Sequence, residues 1–352
     1  MDGLIAPVGG FICGGLAGFA AQYGRLCTIG AMEDALVAGD FRRAGAWALS
    51  AAVAVLLTQG LVFAGALELS GIHYVRPMLD ITGLVIGGLL FGFGAALVGT
   101  CAFGLLVRLG TGDLRALVCA LVVGLAAFSA TGGILSPLRL ALSEFGALDT
   151  SAIGGKTLTG IIGASPHSAA SFLAVLLVAG ALLVFALTNW RLYRKPRLIA
   201  ASCLMGLAVA GGWLTTGVLA DPFSGQRPES LTFVIPLGRL LLQLVGERLS
   251  STEFAVATVF GVSAGSFAVA AVRDELRWEA FDDHREMRRH LLGALLMGFG
   301  GVLARGCTIG QGLTGMSVLS LAAPVAVFAM VVGARAGLVY LVEGRRLFGQ
   351  RY

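Results

Sequence analysis

Three cysteines in this 352-residue chain occupy the same place in one recurring unit, G-F-[GA]-x6-C-x2-G. Gly18-Phe19-Ala20 leads to Cys27 and Gly30, Gly92-Phe93-Gly94 to Cys101 and Gly104, and Gly298-Phe299-Gly300 to Cys307 and Gly310. A weaker fourth copy starts at Gly206-Leu207-Ala208 and reaches Thr215 in place of cysteine, then Gly217. A thiol can act as a nucleophile, bind a soft metal, form a disulfide or donate a weak hydrogen bond. Burial disfavours the thiolate, and a neutral S–H can approach a soft anion without repelling it. A row of such weak contacts suits a path on which a solute must bind and then leave.

The neighbours favour an anion. Arg25 and Arg305 each stand two residues before their cysteine, and Arg108 follows Cys101 by seven. Thr28, Thr308, Gln311 and Thr314 add neutral donors. A short helix starting after each cysteine would aim its first N–H groups at the same point. The competing reading of the arginines is that they snorkel to the membrane interface. Cys13, Cys119 and Cys203 lie outside the repeated unit and are expected to be packing residues. The sequence has no CxxC pair, HExxH, Walker loop or GxSxG elbow, and its four histidines fall in links or flanks. Zinc ribbons, thioredoxin chemistry and ATP hydrolysis therefore lack support, and no cofactor or metal is expected. Copper(I) transport would call for Met or His beside the cysteines. A membrane redox or sulfur-transfer enzyme using the same thiols would call for a quinone, haem or flavin motif. Neither is found.

Such loops must be carried by membrane helices. The chain is 57% hydrophobic and 13% charged, too few charges to cover a soluble domain of this size. Apolar blocks of spanning length predict nine crossings: 6–39, 44–67, 79–112, 113–133, 171–190, 198–250, 253–272, 291–311 and 312–342, several of them interrupted. The N-terminus MDGLIAP lacks the basic region of a cleavable signal. The basic stretch WRLYRKPR (190–197) divides the chain into halves, 1–197 and 198–352, within one integral membrane unit. Links assigned to the inside hold 16 Lys and Arg and those outside hold six, placing the N-terminus outside and the C-terminus inside. Arg239 and Arg248 fit poorly, which suggests that 221–250 dips back into the protein. Residues 272–290 are expected to form a solvated helix. With an odd number of crossings before the divide, the halves start from opposite sides. This is an inverted repeat, a plan that places substrate at broken helices near the midplane.

The motifs GRLCTIGAMEDAL (24–36), GTCAFGLLVRLGTGDLRAL (99–117) and ARGCTIGQGLTGMSVLSL (304–321) resemble those of the YeeE/YedE family of sulfur-transport membrane proteins. The resemblance implies an hourglass of nine helices with short helices in four central loops, the fourth near 214–232. It implies thiosulfate uptake across the bacterial inner membrane for sulfur assimilation. Cys27, Cys101 and Cys307 would be the substrate-contacting residues, and a small TusA-like sulfur carrier a separate cytoplasmic partner. Some relatives are associated with selenium species, so a selenium or other sulfur anion is the alternative cargo.

Overall fold

The computed structural model describes residues 4–69, 71–75, 78–149, 157–161, 168–220, 227–245 and 253–347. The first half contains α1 (Ile5–Gly24), α2 (Thr28–Val37), α3 (Arg42–Phe63), α4 (Ile81–Val98), α5 (Ala102–Gly110), α6 (Leu114–Gly132), α7 (Ser136–Glu144), α8 (Leu158–Ile161), α9 (Ala169–Leu187) and α10 (Trp190–Tyr193). The second contains α11 (Pro196–Gly217), α12 (Val234–Val245), α13 (Phe254–Val272), α14 (His284–Leu303), a π-helix (Gly310–Gly315) and α15 (Ala322–Leu347). One small antiparallel pair, β1 (Met78–Asp80) with β2 (Ala147–Asp149), ties the start of α4 to the segment after α7.

Among the described residues, eight spans are long and apolar enough to cross a membrane, two of them, Ile5–Val37 and Ile81–Gly110, containing a break. The protein is thus an all-α polytopic membrane protein. The ninth expected crossing, 291–311, corresponds to α14, a 20-residue helix whose first turns carry the charged run HREMRRH. Residues 273–283 are not helical, contrary to expectation, and α14 starts only at His284. Their backbone is instead bonded to the loop before α6: Arg277 N donates to Thr111 O, and Leu114 N to Glu279 O. Arg239 sits in α12, which follows the non-helical segment 227–233; the two ends of the expected dip, 221–226 and 246–250 with Arg248, lie outside the described residues.

Lipid tails give apolar helices no hydrophobic reason to associate, so close backbone packing must hold them. Glycine supplies it. A Cβ on Gly10, Gly14 or Gly18 of α1 would collide with the carbonyls of Phe254, Thr258 and Val262 on α13. Helix α4 is clasped the same way between α14 and α15: a Cβ on Gly94 would strike Gly293 O, and one on Gly92 would strike Met330 O.

The contacts have a regular pattern. α1 packs on α11 and α13, and α3 packs on α11; α4 packs on α14 and α15, and α6 packs on α14. Exchanging α1 with α11, α3 with α13, α4 with α14 and α6 with α15 maps this set of contacts onto itself. Some weaker pairs obey it too. α12 with α6 becomes α2 with α15, and α5 with α13 becomes the π-helix with α3. Each exchanged unit is a long helix, a break, a short helix and a second long helix.

Candidate functional site

Each cysteine begins where a long helix is stopped by a left-handed residue two positions earlier. Arg25 has φ 52°, Gly99 φ 80° and Arg305 φ 57°. The helix ends close as Schellman turns at the two arginines: Leu26 N donates to Ala21 O (2.9 Å), and Gly306 N to Gly301 O (2.8 Å). Glycine adopts this backbone freely, whereas a residue with a side chain is strained there. The chain nonetheless places arginine at two of the three positions.

The next helix then starts on the cysteine. Cys27 is the N-cap of α2, and its Sγ accepts from Gly30 N at 3.4 Å. Cys307 repeats this contact, accepting from Gly310 N at 3.4 Å. That is the geometry in which an N-cap side chain takes the N–H three residues on, and it explains the C-x2-G spacing. Sulfur that accepts an amide still has its own proton to donate elsewhere. Cys101 is the N-cap of α5 without a capping bond; its Sγ lies 3.8 Å from Thr28 Oγ1. A Cβ on Gly104 would strike Thr100 Oγ1, so this break also needs its glycine.

These breaks converge. Cys27, Thr28, Cys101, Gly104 and Arg108 line one cavity of about 300 Å³ that Arg25 also borders. Arg108 Nη2 donates to Gly99 O at 3.2 Å, bracing the second break. Cys101 lies beside Thr308 and within electrostatic reach of both Cys27 and Cys307. Cys27 is half-buried, and Cys101 and Cys307 are buried. Around Cys307 lie Thr232, Phe233 and Gly310. Thr232 Oγ1 lies against Tyr74 and Cys307 and Thr308 Oγ1 against Cys101, while Gln311 Oε1 is buried without a hydrogen-bond partner. Burying such a group unpaired is costly, and a polar ligand would satisfy it. Phe103, at the start of α5, meets Phe233 from the other half with ring centroids 5.0 Å apart. Both rings are fully buried, as are Cys101 and Cys307.

A larger cavity opens at each end. One, of about 770 Å³, is lined by six cations, including Arg25, Arg43, Lys195 and Arg273, against Asp34 and Glu275. The other, of about 470 Å³, is lined by Tyr74, Thr232, Arg227, Glu229 and Arg239 among others. Helix α11 starts beside Lys195 at the first and ends at Gly217, before Arg227 at the second; its 22 residues span about 33 Å. The two mouths therefore lie a membrane core apart. Tyr74 neighbours both Thr232 and Cys307, linking the second mouth to the thiols.

Of the residues expected at the site, Arg305 points elsewhere: Nη1 donates to Met78 O (3.4 Å) and Nη2 lies 3.8 Å from Asp80 Oδ2. Gln311 Nε2 is bonded to Ala304 O at 2.7 Å, stitching the third break to the helix before it. Thr314 Oγ1 donates to Leu231 O at 2.7 Å and Trp213 Nε1 to Ser317 Oγ at 3.0 Å, fixing the fourth loop against the third. Thr215 is not a loop residue. It lies within α11, its hydroxyl bonded to Gly211 O at 2.8 Å. The residue of the fourth unit that reaches the thiols is Thr232, with Tyr74, Phe103 and Phe233 as further additions. Thr232 escapes a search by spacing because its extended loop, unlike the other three, separates it widely from the preceding helix. Among the described residues, no group of three His, Cys, Asp or Glu could hold a metal ion.

Comparison with known proteins bears on this geometry. The profile of the family described as sulphur transport matches residues 23–336. The chain is similar to a protein of Spirochaeta thermophila named thiosulfate transporter TsuA, with 27% identity over 92% of this chain and 96% of the relative. It is similar also to a protein of the same name from Escherichia coli, with 28% identity over 96% of both chains. The match takes in all three cysteine breaks and both mouths. With its membrane helices and its repeated C-x2-G caps, the chain belongs to the sulphur transport family, the YeeE/YedE proteins, and is a transporter rather than an enzyme.

Proposed function

We propose that the protein takes up thiosulfate across the bacterial inner membrane for sulfur assimilation, with Cys307, Cys101 and Cys27 as successive thiol contacts. In this reading the halves 1–197 and 198–352 form an inverted repeat. The N-terminus is periplasmic and the C-terminus cytoplasmic, so the mouth with Tyr74 and Arg239 receives the anion and the mouth with Lys195 releases it. A separate TusA-like sulfur carrier would then collect it. Thiosulfate carries a polarisable terminal sulfur and a charged oxygen end. Thiols suit the first, and the hydroxyls of Thr232, Thr308 and Thr28 suit the second.

The observation that carries this reading is the gathering of the thiols. Three thiols from three separate breaks lie within electrostatic reach of one another, beside the buried hydroxyls of Thr232 and Thr308. The names of the two relatives support the choice of anion. The test is thiosulfate-dependent growth of a bacterium stripped of its own uptake systems, at matched membrane expression. The wild-type chain restores growth and Cys101→Ala does not. Growth with both removes the thiol path. Growth with neither points to another sulfur or selenium anion as the cargo.

A further inference from the structure

Glu275 holds a position that no cysteine motif marks. Its Oε1 lies 3.0 Å from Arg25 Nη2, and its Oε2 accepts from Gln22 Nε2 at 2.8 Å. Both carboxylate oxygens are therefore engaged, one by a guanidinium and one by an amide, as a two-oxygen anion would be. Arg25, Arg43 and Glu275 line both the 300 Å³ thiol cavity and the 770 Å³ basic mouth, so this pair stands at their junction. The Arg43 guanidinium lies against the first turn of α2, where a Cβ on Gly30 would come within 2.7 Å of Nη1. Arg43 also pairs with Asp34 at 3.3 Å.

The backbone is arranged to aim the pair. Arg25 is left-handed, and so is Asp274, at φ 53°, immediately before Glu275. Glu275 N returns to Ala270 O at 2.9 Å, fixing the turn that follows α13. A left-handed residue thus stands at Arg25 and another immediately before its partner Glu275, at the rim of the thiol cavity. The Arg25 side chain is 74% exposed, so water screens the pair and exchange of one anion for another is easy.

We propose that Arg25, with Arg43 beside it, forms an anion-binding site at the junction, and that the Glu275 carboxylate is its tethered occupant. The site takes small oxyanions such as thiosulfate and sulfate. A passing anion displaces Glu275 from Arg25, and Glu275 returns after the anion leaves, so the anion is not trapped among six cations. The identity of the anion rests on the proposed function; the site itself does not.

The experiment is calorimetric titration of the full-length protein in lipid nanodiscs, with thiosulfate and, separately, with sulfate. Glu275→Gln keeps the side-chain shape and removes the charge. It is expected to bind thiosulfate at least fivefold more tightly than wild type, and the gain disappears in Glu275→Gln combined with Arg25→Gln. Unchanged or weaker binding of both anions in Glu275→Gln overturns the proposal, as does a gain that survives loss of Arg25. The latter results would make Glu275 a clamp between α1 and α13. If sulfate alone shows the Arg25-dependent gain, the site stands and thiosulfate falls as its cargo. If wild type takes up thiosulfate while Glu275→Gln binds neither anion better, the transport reading stands and the tethered occupant falls.

Discussion

Arg25 and Arg305 share one backbone conformation, left-handed at φ 52° and 57°, yet their side chains meet different fates. Arg25 reaches Glu275 at the rim of the thiol cavity, whereas Arg305 turns to Asp80 and the Met78 carbonyl. Gly99 shows what the backbone alone would choose at the equivalent place in the second unit. The arginine at 25 is thus kept against local conformational preference.

That preference makes Arg25→Gly informative. A left-handed residue with a Cβ costs about 1–2 kcal/mol, and glycine gives part of this back through a more flexible unfolded chain. Loss of the exposed ion pair with Glu275 adds little. Thermal stability in detergent should stay within about 1 kcal/mol of wild type, while uptake in proteoliposomes falls at least tenfold. Equal losses of stability and uptake would make Arg25 a structural residue.

The glycines after the cysteines should differ in tolerance. A methyl at Gly310 would sit 2.7 Å from Tyr74 Oη and 2.8 Å from Thr232 Oγ1, in the cleft beside Cys307. At Gly30 its one close approach would be to the flexible end of Arg43, with Cys27 at ordinary contact distance. Gly310→Ala is expected to reduce uptake severely and Gly30→Ala mildly, at comparable protein levels. Equal uptake by the two variants would show that this cleft is not on the path.

The cysteines outside the repeated unit provide the matching control. Cys203 is exposed and Cys13 and Cys119 are buried in helix packing, none of them at a break. Replacing all three by alanine should leave uptake within about twofold, at a cost to stability of about 1–3 kcal/mol for the buried pair. A collapse of uptake in a well-folded triple variant would move the chemistry away from Cys27, Cys101 and Cys307.

Acidification should release the junction. The Arg25 guanidinium beside Glu275 holds its carboxyl below the usual glutamate value, helped by Gln22 and opposed by partial burial. A depressed carboxylate stabilises the fold above its unfolded value and loses that contribution as pH falls through the folded one. The tie between α1 and the end of α13 should therefore be intact at neutral pH and weaken below about pH 4.5. Protease cutting near 273–283, followed against pH, should rise in wild type over that range. In Glu275→Gln it should show no such step.

Packing of α1 on α13 can be probed at Gly14. Its missing Cβ lets the two backbones touch at Thr258. Gly14→Val forces them apart and should cost about 1–3 kcal/mol or prevent assembly, read as loss of monodisperse protein on size-exclusion chromatography.

Much of this architecture could be read from residue order because membrane helices must satisfy their backbone internally and therefore break only where glycine, arginine or a capping side chain permits. The breaks at 25–27, 99–101 and 304–307 were visible for that reason. The fourth loop, expected near 214–232, follows the end of α11 at Gly217; Thr215 itself stays inside the helix because a threonine can bond back to the preceding turn and leave the helix intact. Residues 273–283 have a helix-like mixture of charges, but the 111–114 loop takes their backbone bonds, and only tertiary structure reveals that competition. Glu275 gave no signal at all. It is one of six acids in the polar stretch 272–290, and its significance arises from Arg25, 250 positions away.

The caps on α2 and the π-helix have one more consequence, and it concerns the choice of element. Helix starts favour an oxygen, from serine, threonine, asparagine or aspartate, which accepts the N3 amide more strongly than sulfur does. At Cys27 and Cys307 the fold would be content with serine, a smaller atom making a shorter bond in the same place. Natural selection working on stability alone would drift toward oxygen at both positions. The chain spells sulfur instead, at two helix starts 280 residues apart, and gives up capping strength each time.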